Sequence, residues 1–216
     1  MFILNQTPSV AGKYLADLRA VNRQGDRLRF RQNLERLGEL LAYEISKKMP
    51  VREKTVSTPL GESTEWVHEE PVLIPILRAG LPFYNGFLRM FDEADSGFIG
   101  AFRAPHQTAD DVEIELNYRT LPSLKDRTLL LLDPMLATGK SMLESIEGLI
   151  KHGNQPKHIH IAVVIAAPEG VKFLEQNLKI PYTLWAVALD EKLNDKAYIV
   201  PGLGDAGDLA FGEKLQ

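Results

Sequence analysis

Apolar residues between Phe30 and Ile45 recur at three- or four-residue intervals: Phe30, Leu34, Leu37, Leu41 and Ile45. That period places them on one face of a helix, and Pro50 predicts its end. After Gly61 the texture changes to short runs of β-branched residues and leucine that alternate with helical patterns. Val72 to Leu77 reads as a strand, and about Leu81 to Phe91 as a helix. Phe98 to Phe102 reads as a second strand. Val112, Ile114 and Leu116 alternate with Glu113, Glu115 and Asn117, the period of a half-exposed strand. Thr128 to Leu132 predicts a strand, about Gly139 to His152 a helix, and Ile159 to Ala166 a buried strand. Glu169 to Leu178 then predicts a helix and Tyr182 to Ala188 a further strand.

Strands that are apolar on both faces and separated by helices indicate a doubly wound α/β fold, with a mostly parallel sheet and helices on both faces. Ligands of such sheets bind at the carboxyl ends of the strands, so the loops after them are the place to seek chemistry. The chain has 216 residues, of which 44% are hydrophobic and 25% charged, a globular balance that excludes disordered, collagen-like and coiled-coil classes. The absence of cysteine removes disulfides, thiolate metal sites and cysteine nucleophiles, and fits a reducing compartment. The longest clean apolar run, Ile161 to Pro168, is far short of the roughly 20 residues that span a bilayer. A basic leader is also lacking, so the expectation is a cytoplasmic protein with no membrane partner.

The formal charge of −4 argues against general nucleic-acid binding. It is unevenly spread. Residues 1–54 hold eleven Lys/Arg against six Asp/Glu, and residues 55–125 hold five against eleven. Six arginines fall between Arg19 and Arg36. They could form an RNA surface, a solvated helix face or a subunit contact.

The third apolar strand runs directly into Asp133-Pro134-Met135-Leu136-Ala137-Thr138-Gly139-Lys140-Ser141, and a helix follows. A carboxylate at a strand end, then small and hydroxylated residues opening a helix, can hold a sugar phosphate. Free N–H groups and the helix dipole attract the phosphate, while Asp133 can accept hydrogen bonds from ribose hydroxyls. A Walker A loop would need a glycine five residues before Gly139, where this chain has Pro134. Taken alone, the loop could also be a plain helix start with a Thr/Ser cap. His106, His158 and His160 have no partners at ligand spacing and are expected to be solvated, so no protein metal site is expected. Met135 and Met142 fit as core fillers, and no serine sits in a nucleophile-elbow context.

Asp133-Pro-Met-Leu-Ala-Thr-Gly resembles the phosphoribosyl pyrophosphate (PRPP) loop of the uracil phosphoribosyltransferases, which carry Asp-Pro where most phosphoribosyltransferases carry two acids. The resemblance extends to Pro75-Ile-Leu-Arg-Ala-Gly80, Ala166-Ala-Pro-Glu-Gly170, Ala188-Leu-Asp-Glu-Lys-Leu-Asn194, Tyr198-Ile-Val-Pro-Gly-Leu-Gly-Asp-Ala-Gly-Asp208 and the region of Leu40-Leu-Ala-Tyr-Glu44. It is nearly full-length.

This resemblance implies a type I phosphoribosyltransferase fold in one domain, 1–216. Residues 1–60 would be an N-terminal helical region, 61–188 a core with a mobile hairpin at about 100–120, and 189–216 a uracil-binding hood. It implies Mg²⁺-dependent transfer of phosphoribose from PRPP to uracil, giving UMP and pyrophosphate in pyrimidine salvage. Arg78, Arg103 and Asp205 would be catalytic. PRPP would meet Arg78, Arg103, residues Asp133 to Ser141 and Asp205. Uracil would meet Tyr198, Ile199, Gly204, Asp205 and Ala206, largely through backbone groups, and Mg²⁺ would be bound mainly through PRPP. The resemblance further implies a homo-oligomer, dimer or tetramer, and GTP as an effector.

Three positions depart from the family pattern: Lys140 in place of a glycine, Leu209 in place of an arginine, and Ala104-Pro-His-Gln-Thr-Ala-Asp-Asp111 in the mobile loop. The alternative is an RNA-binding regulator, or an otherwise repurposed protein with weak or no activity, on the same fold.

Overall fold

The computed structural model describes residues 1–103, 114–151 and 154–214, with backbone alone for 101–103 and 114–119. It begins with β1 (Phe2–Ile3), a 3-10 turn, and the helices α1 (Val10–Arg19), α2 (Val21–Gln24) and α3 (Arg27–Ser46). Asp26 caps α3 by accepting the Arg29 amide hydrogen at 3.0 Å. Phe30, Leu34, Leu37, Leu41 and Ile45 are all buried, as their spacing predicts. Each contributes on the order of 1.5–3 kcal/mol by leaving water.

The hairpin β2 (Val51–Thr58) and β3 (Gly61–His68) comes next, followed by β4 (Val72–Leu77), α4 (Gly80–Met90), β5 (Asp95–Ser96), β6 (Phe98–Arg103) and β7 (Ile114–Thr120). The chain continues through β8 (Thr128–Leu132), β9 (Met135–Leu136), α5 (Lys140–Ile150), β10 (His158–Ala166), α6 (Pro168–Asn177) and β11 (Tyr182–Leu189). It closes with β12 (Lys192–Leu193), β13 (Ile199–Val200) and α7 (Ala206–Phe211).

Among the described residues the main sheet has the order β1-β11-β10-β8-β4-β6-β7, with β5 beside β4 and β9 beside β10. Its pairings are parallel except β6 with β7. One apolar cluster packs α1, α3 and α4 on one face; a second packs α5 and α6 on the other. The doubly wound expectation therefore holds. No helix among the described residues is long and apolar enough to cross a membrane.

Two expectations need correction. Residues 1–60 are not a helical region, because the helices end at Ser46 and residues 51–58 pair with 61–68 in an antiparallel ribbon. Almost every residue of that ribbon is exposed, so it carries no alternating apolar face to announce it. Nor is His160 solvated. It is 4% exposed, and its Nδ1 accepts the indole N–H of Trp185 at 3.0 Å. His158, two residues earlier on the same face of β10, is half-buried, and its Nε2 lies 2.9 Å from the Thr183 hydroxyl.

Candidate active site

At the carboxyl end of β8, Asp133 turns the chain with its carboxylate, which accepts the Met135 amide hydrogen at 3.2 Å. The loop returns to the sheet through β9 and enters α5 from Gly139, whose φ of +81° suits a residue without a side chain. Lys140 is the first residue of α5 and is half-buried, like Thr138 and Ser141. The Thr138 hydroxyl lies 3.4 Å from the Lys140 amide. The turn of α5 thus presents backbone donors and two hydroxyls at one edge of the sheet.

Two glycines let neighbouring segments close around this loop. A Cβ on Gly80 would lie 2.8 Å from the Leu132 carbonyl oxygen, so the turn after β4 is pressed against the end of β8. A Cβ on Gly170 would lie 2.3 Å from the Ala137 carbonyl oxygen, so the start of α6 supports the loop from the other side.

Arg78 leaves β4 beside the loop and reaches the hood. Its Nη2 lies 2.7 Å from Oδ1 of Asp208, and its Nη1 donates to the Gly212 carbonyl at 3.2 Å. The Leu77–Arg78 and Val200–Pro201 peptide bonds are cis. Asp205 begins α7, with its Oδ1 accepting the amide hydrogens of Gly207 at 2.9 Å and Asp208 at 3.0 Å. Ile199 and Ala206 are buried, Gly204 is exposed with φ +87°, and Tyr198 is 53% exposed.

The structure therefore places Arg78 and the 133–141 loop at the carboxyl ends of the adjacent central strands β4 and β8, with the Asp205 start of α7 beside Arg78. Tyr198 precedes the buried Ile199 and has an exposed side chain. Arg103 ends β6, but its side chain and the segment from Ala104 to Asp111 lie outside the described residues. Asp208, the partner of Arg78, lies in the first turn of α7, a helix too short to show a period in the sequence.

The N-terminal arginines are largely engaged within the chain. Arg19 pairs with Asp190, Arg31 donates to the Ala210 carbonyl at 2.7 Å, and Arg36 donates to Asn33 at 2.9 Å. Among the described residues no cluster of three or more His, Cys, Asp or Glu could hold a metal ion.

Comparison with known proteins shows the family. The family described as uracil phosphoribosyltransferase matches residues 4–213. A curated uracil phosphoribosyltransferase from Porphyromonas gingivalis is 46% identical over 208 residues, covering 96% of this chain and 95% of that protein. One from Pyrococcus furiosus is 39% identical over 208 residues, covering 94% and 86%. The solved structure of a protein from Aquifex aeolicus superposes with a TM-score of 0.86 at 34% identity, over 100% of both chains. A hypoxanthine-guanine phosphoribosyltransferase from Bacillus anthracis shares the fold, with a TM-score of 0.50 at 14% identity over 76% of this chain and 80% of that one. With a match from residue 4 to residue 213, the chain belongs to the uracil phosphoribosyltransferase family.

Proposed function

We infer that this protein transfers the phosphoribosyl group of PRPP to uracil, forming UMP and pyrophosphate in pyrimidine salvage. The carrying observation is the family match over residues 4–213. The meeting of the β8 loop, the β4 turn and the hood at one edge of the sheet supports it.

The 133–141 loop would take the ribose and 5′-phosphate, with the α5 amides and the Thr138 and Ser141 hydroxyls on phosphate and Asp133 on the ribose. Arg78 and Arg103 would face pyrophosphate, which gains negative charge as its bond to C1′ breaks. The hood would present backbone groups of Ile199, Gly204 and Ala206 to the edge of uracil, holding N1 against C1′. Tyr198 would border the base, and Asp205 would lie between base and ribosyl donor.

Mg²⁺ would arrive on PRPP, neutralising charge on the leaving group. The donor set fits an ion held mainly by substrate oxygens, since Asp133 is the only carboxylate in its loop.

On this reading residues 189–216 form the hood of a single-domain cytoplasmic enzyme. Its assembly as a homo-oligomer is supported by the β2–β3 ribbon, which leaves Leu60 100% and Trp66 68% exposed among the described residues. GTP as an effector comes from the family resemblance.

The test is UMP formation from uracil, PRPP and Mg²⁺, with cytosine, orotate, hypoxanthine and guanine as control bases. No UMP from folded protein would overturn the reading. Asp205→Asn isolates the charge, because asparagine caps a helix about as well as aspartate. Turnover should fall strongly, and an unchanged rate would remove Asp205 from the catalytic set.

A further inference from the structure

The hood comes from the end of the chain, yet the side chains that grip its backbone come largely from the beginning. Asp190, just past β11, is 8% exposed. Its carboxylate meets both terminal nitrogens of Arg19, with Oδ2 at 2.9 Å from Nη1 and Oδ1 against Nη2. The same Oδ2 accepts the Gly202 amide hydrogen at 2.9 Å, and Arg19 Nη1 donates to the Gly202 carbonyl at 2.9 Å. Thus one ion pair reads both polar groups of a single hood residue.

The next residue is held as well. Gln24 Nε2 donates at 2.8 Å to the Leu203 carbonyl and at 2.8 Å to the Leu18 carbonyl, tying the hood to the end of α1. Beyond the turn, Arg31 holds the Ala210 carbonyl at 2.7 Å. Gly204, Asp205 and Ala206 lie between these grips.

We propose that Arg19, Asp190 and Gln24 are positioning residues that set where the hood presents its base-reading backbone, and therefore govern uracil affinity and selectivity. The inference rests on the assignment of uracil to the hood. Three physical arguments lead to it.

A base read by main-chain groups is sensitive to displacements well under 1 Å, because a misplaced amide loses its hydrogen bond while remaining desolvated. Gly202 has no side chain of its own and a φ of +65°, so its peptide groups can be fixed only by neighbours. Finally, an ion pair whose carboxylate is buried and whose guanidinium is half-buried adds little net stability against its desolvation cost, so its value here lies in fixing one geometry. The bidentate guanidinium–carboxylate contact suits that task, since it fixes direction as well as distance.

The experiment is steady-state kinetics on full-length protein, varying uracil and PRPP separately. Variants are Arg19→Lys, which keeps the charge but loses the fork, and Gln24→Met, which keeps bulk but loses the donor. Arg19→Lys should raise KM for uracil about 10-fold or more, leave KM for PRPP unchanged, and leave kcat at saturating uracil within about 3-fold. Discrimination against cytosine should relax. Gln24→Met should shift the same constants less.

A purely structural role would lower the Tm and the active fraction while leaving KM for uracil unchanged. That outcome in both variants overturns the proposal, as does a parallel rise in both KM values. Should Arg19→Lys fail to fold, Gln24→Met decides by the same constants. If the unmodified protein makes no UMP, the uracil assignment itself fails, which is a different result from active enzyme with unchanged uracil KM.

Discussion

Acid should destabilise this protein through His160. The ring sits on β10 between Ile159 and Ile161, both fully buried, and accepts a hydrogen bond from Trp185. Burial first, and the His158 ring 4.7 Å away second, lower its pKa from 6.5 to about 4. Beside the ring is a cleft whose walls include Met1, Lys48, Lys157 and His158 and, among the described residues, no carboxylate that could stabilise an imidazolium.

An unfolded chain protonates this histidine near pH 6.5, while the folded chain resists until about pH 4. The stability it confers is therefore complete above the unfolded pKa and is lost as pH falls through that window. About 2.5 pH units at about 1.4 kcal/mol each give a ceiling of about 3.5 kcal/mol, a large part of the roughly 5–15 kcal/mol of an ordinary domain. The assay is urea unfolding at about pH 7 and about pH 4.5, followed by circular dichroism and by Trp185 emission in a Trp66→Phe background. His160→Gln, whose side-chain oxygen can accept the Trp185 N–H, supplies the comparison. Between the two pH values the parent should lose about 2 kcal/mol more than the Gln variant, because pH 4.5 stops short of the folded pKa. Equal losses would refute the reasoning.

Other substitutions test the frame and the phosphate loop. Gly86→Ala puts a methyl 2.0 Å from the Glu35 carbonyl where α4 crosses α3, and should cost about 3 kcal/mol or more, read as a fall in Tm. Gly170→Ala drives a methyl into the Ala137 carbonyl, so KM for PRPP should rise about 10-fold while KM for uracil moves less. Lys140→Met removes a cation at the start of α5 and should weaken PRPP binding by about 3- to 10-fold, with a shallower salt dependence in the binding isotherm. Tighter PRPP binding would instead show that the lysine crowds the site.

The sheet was legible where its strands are apolar on both faces. Val72–Leu77 and Thr128–Leu132 fall at their predicted bounds, because a charged residue follows each run. The PRPP-like loop was legible because its residues are contiguous. What escaped depends on partners far along the chain. β1 is two residues that become a strand only against Trp185 and Ala186. The β2–β3 ribbon has no buried face to give a period. The short helix α7 is hidden among glycines and starts from the Asp205 cap, while His160 looks polar until its register places it inside the sheet. The Arg19–Asp190 pair spans 171 residues, and no local pattern encodes it.

That separation also orders the life of the chain. During synthesis α1 to α3 leave the ribosome long before the residues they grip, so Arg19, Gln24 and Arg31 wait for Asp190, Gly202, Leu203 and Ala210. Closing so long a loop costs entropy before any contact repays it. The end of the chain assigned above to the base is therefore completed after the sheet, and on that proposal a nascent chain that has already folded its Asp133–Ser141 loop remains unable to select a base.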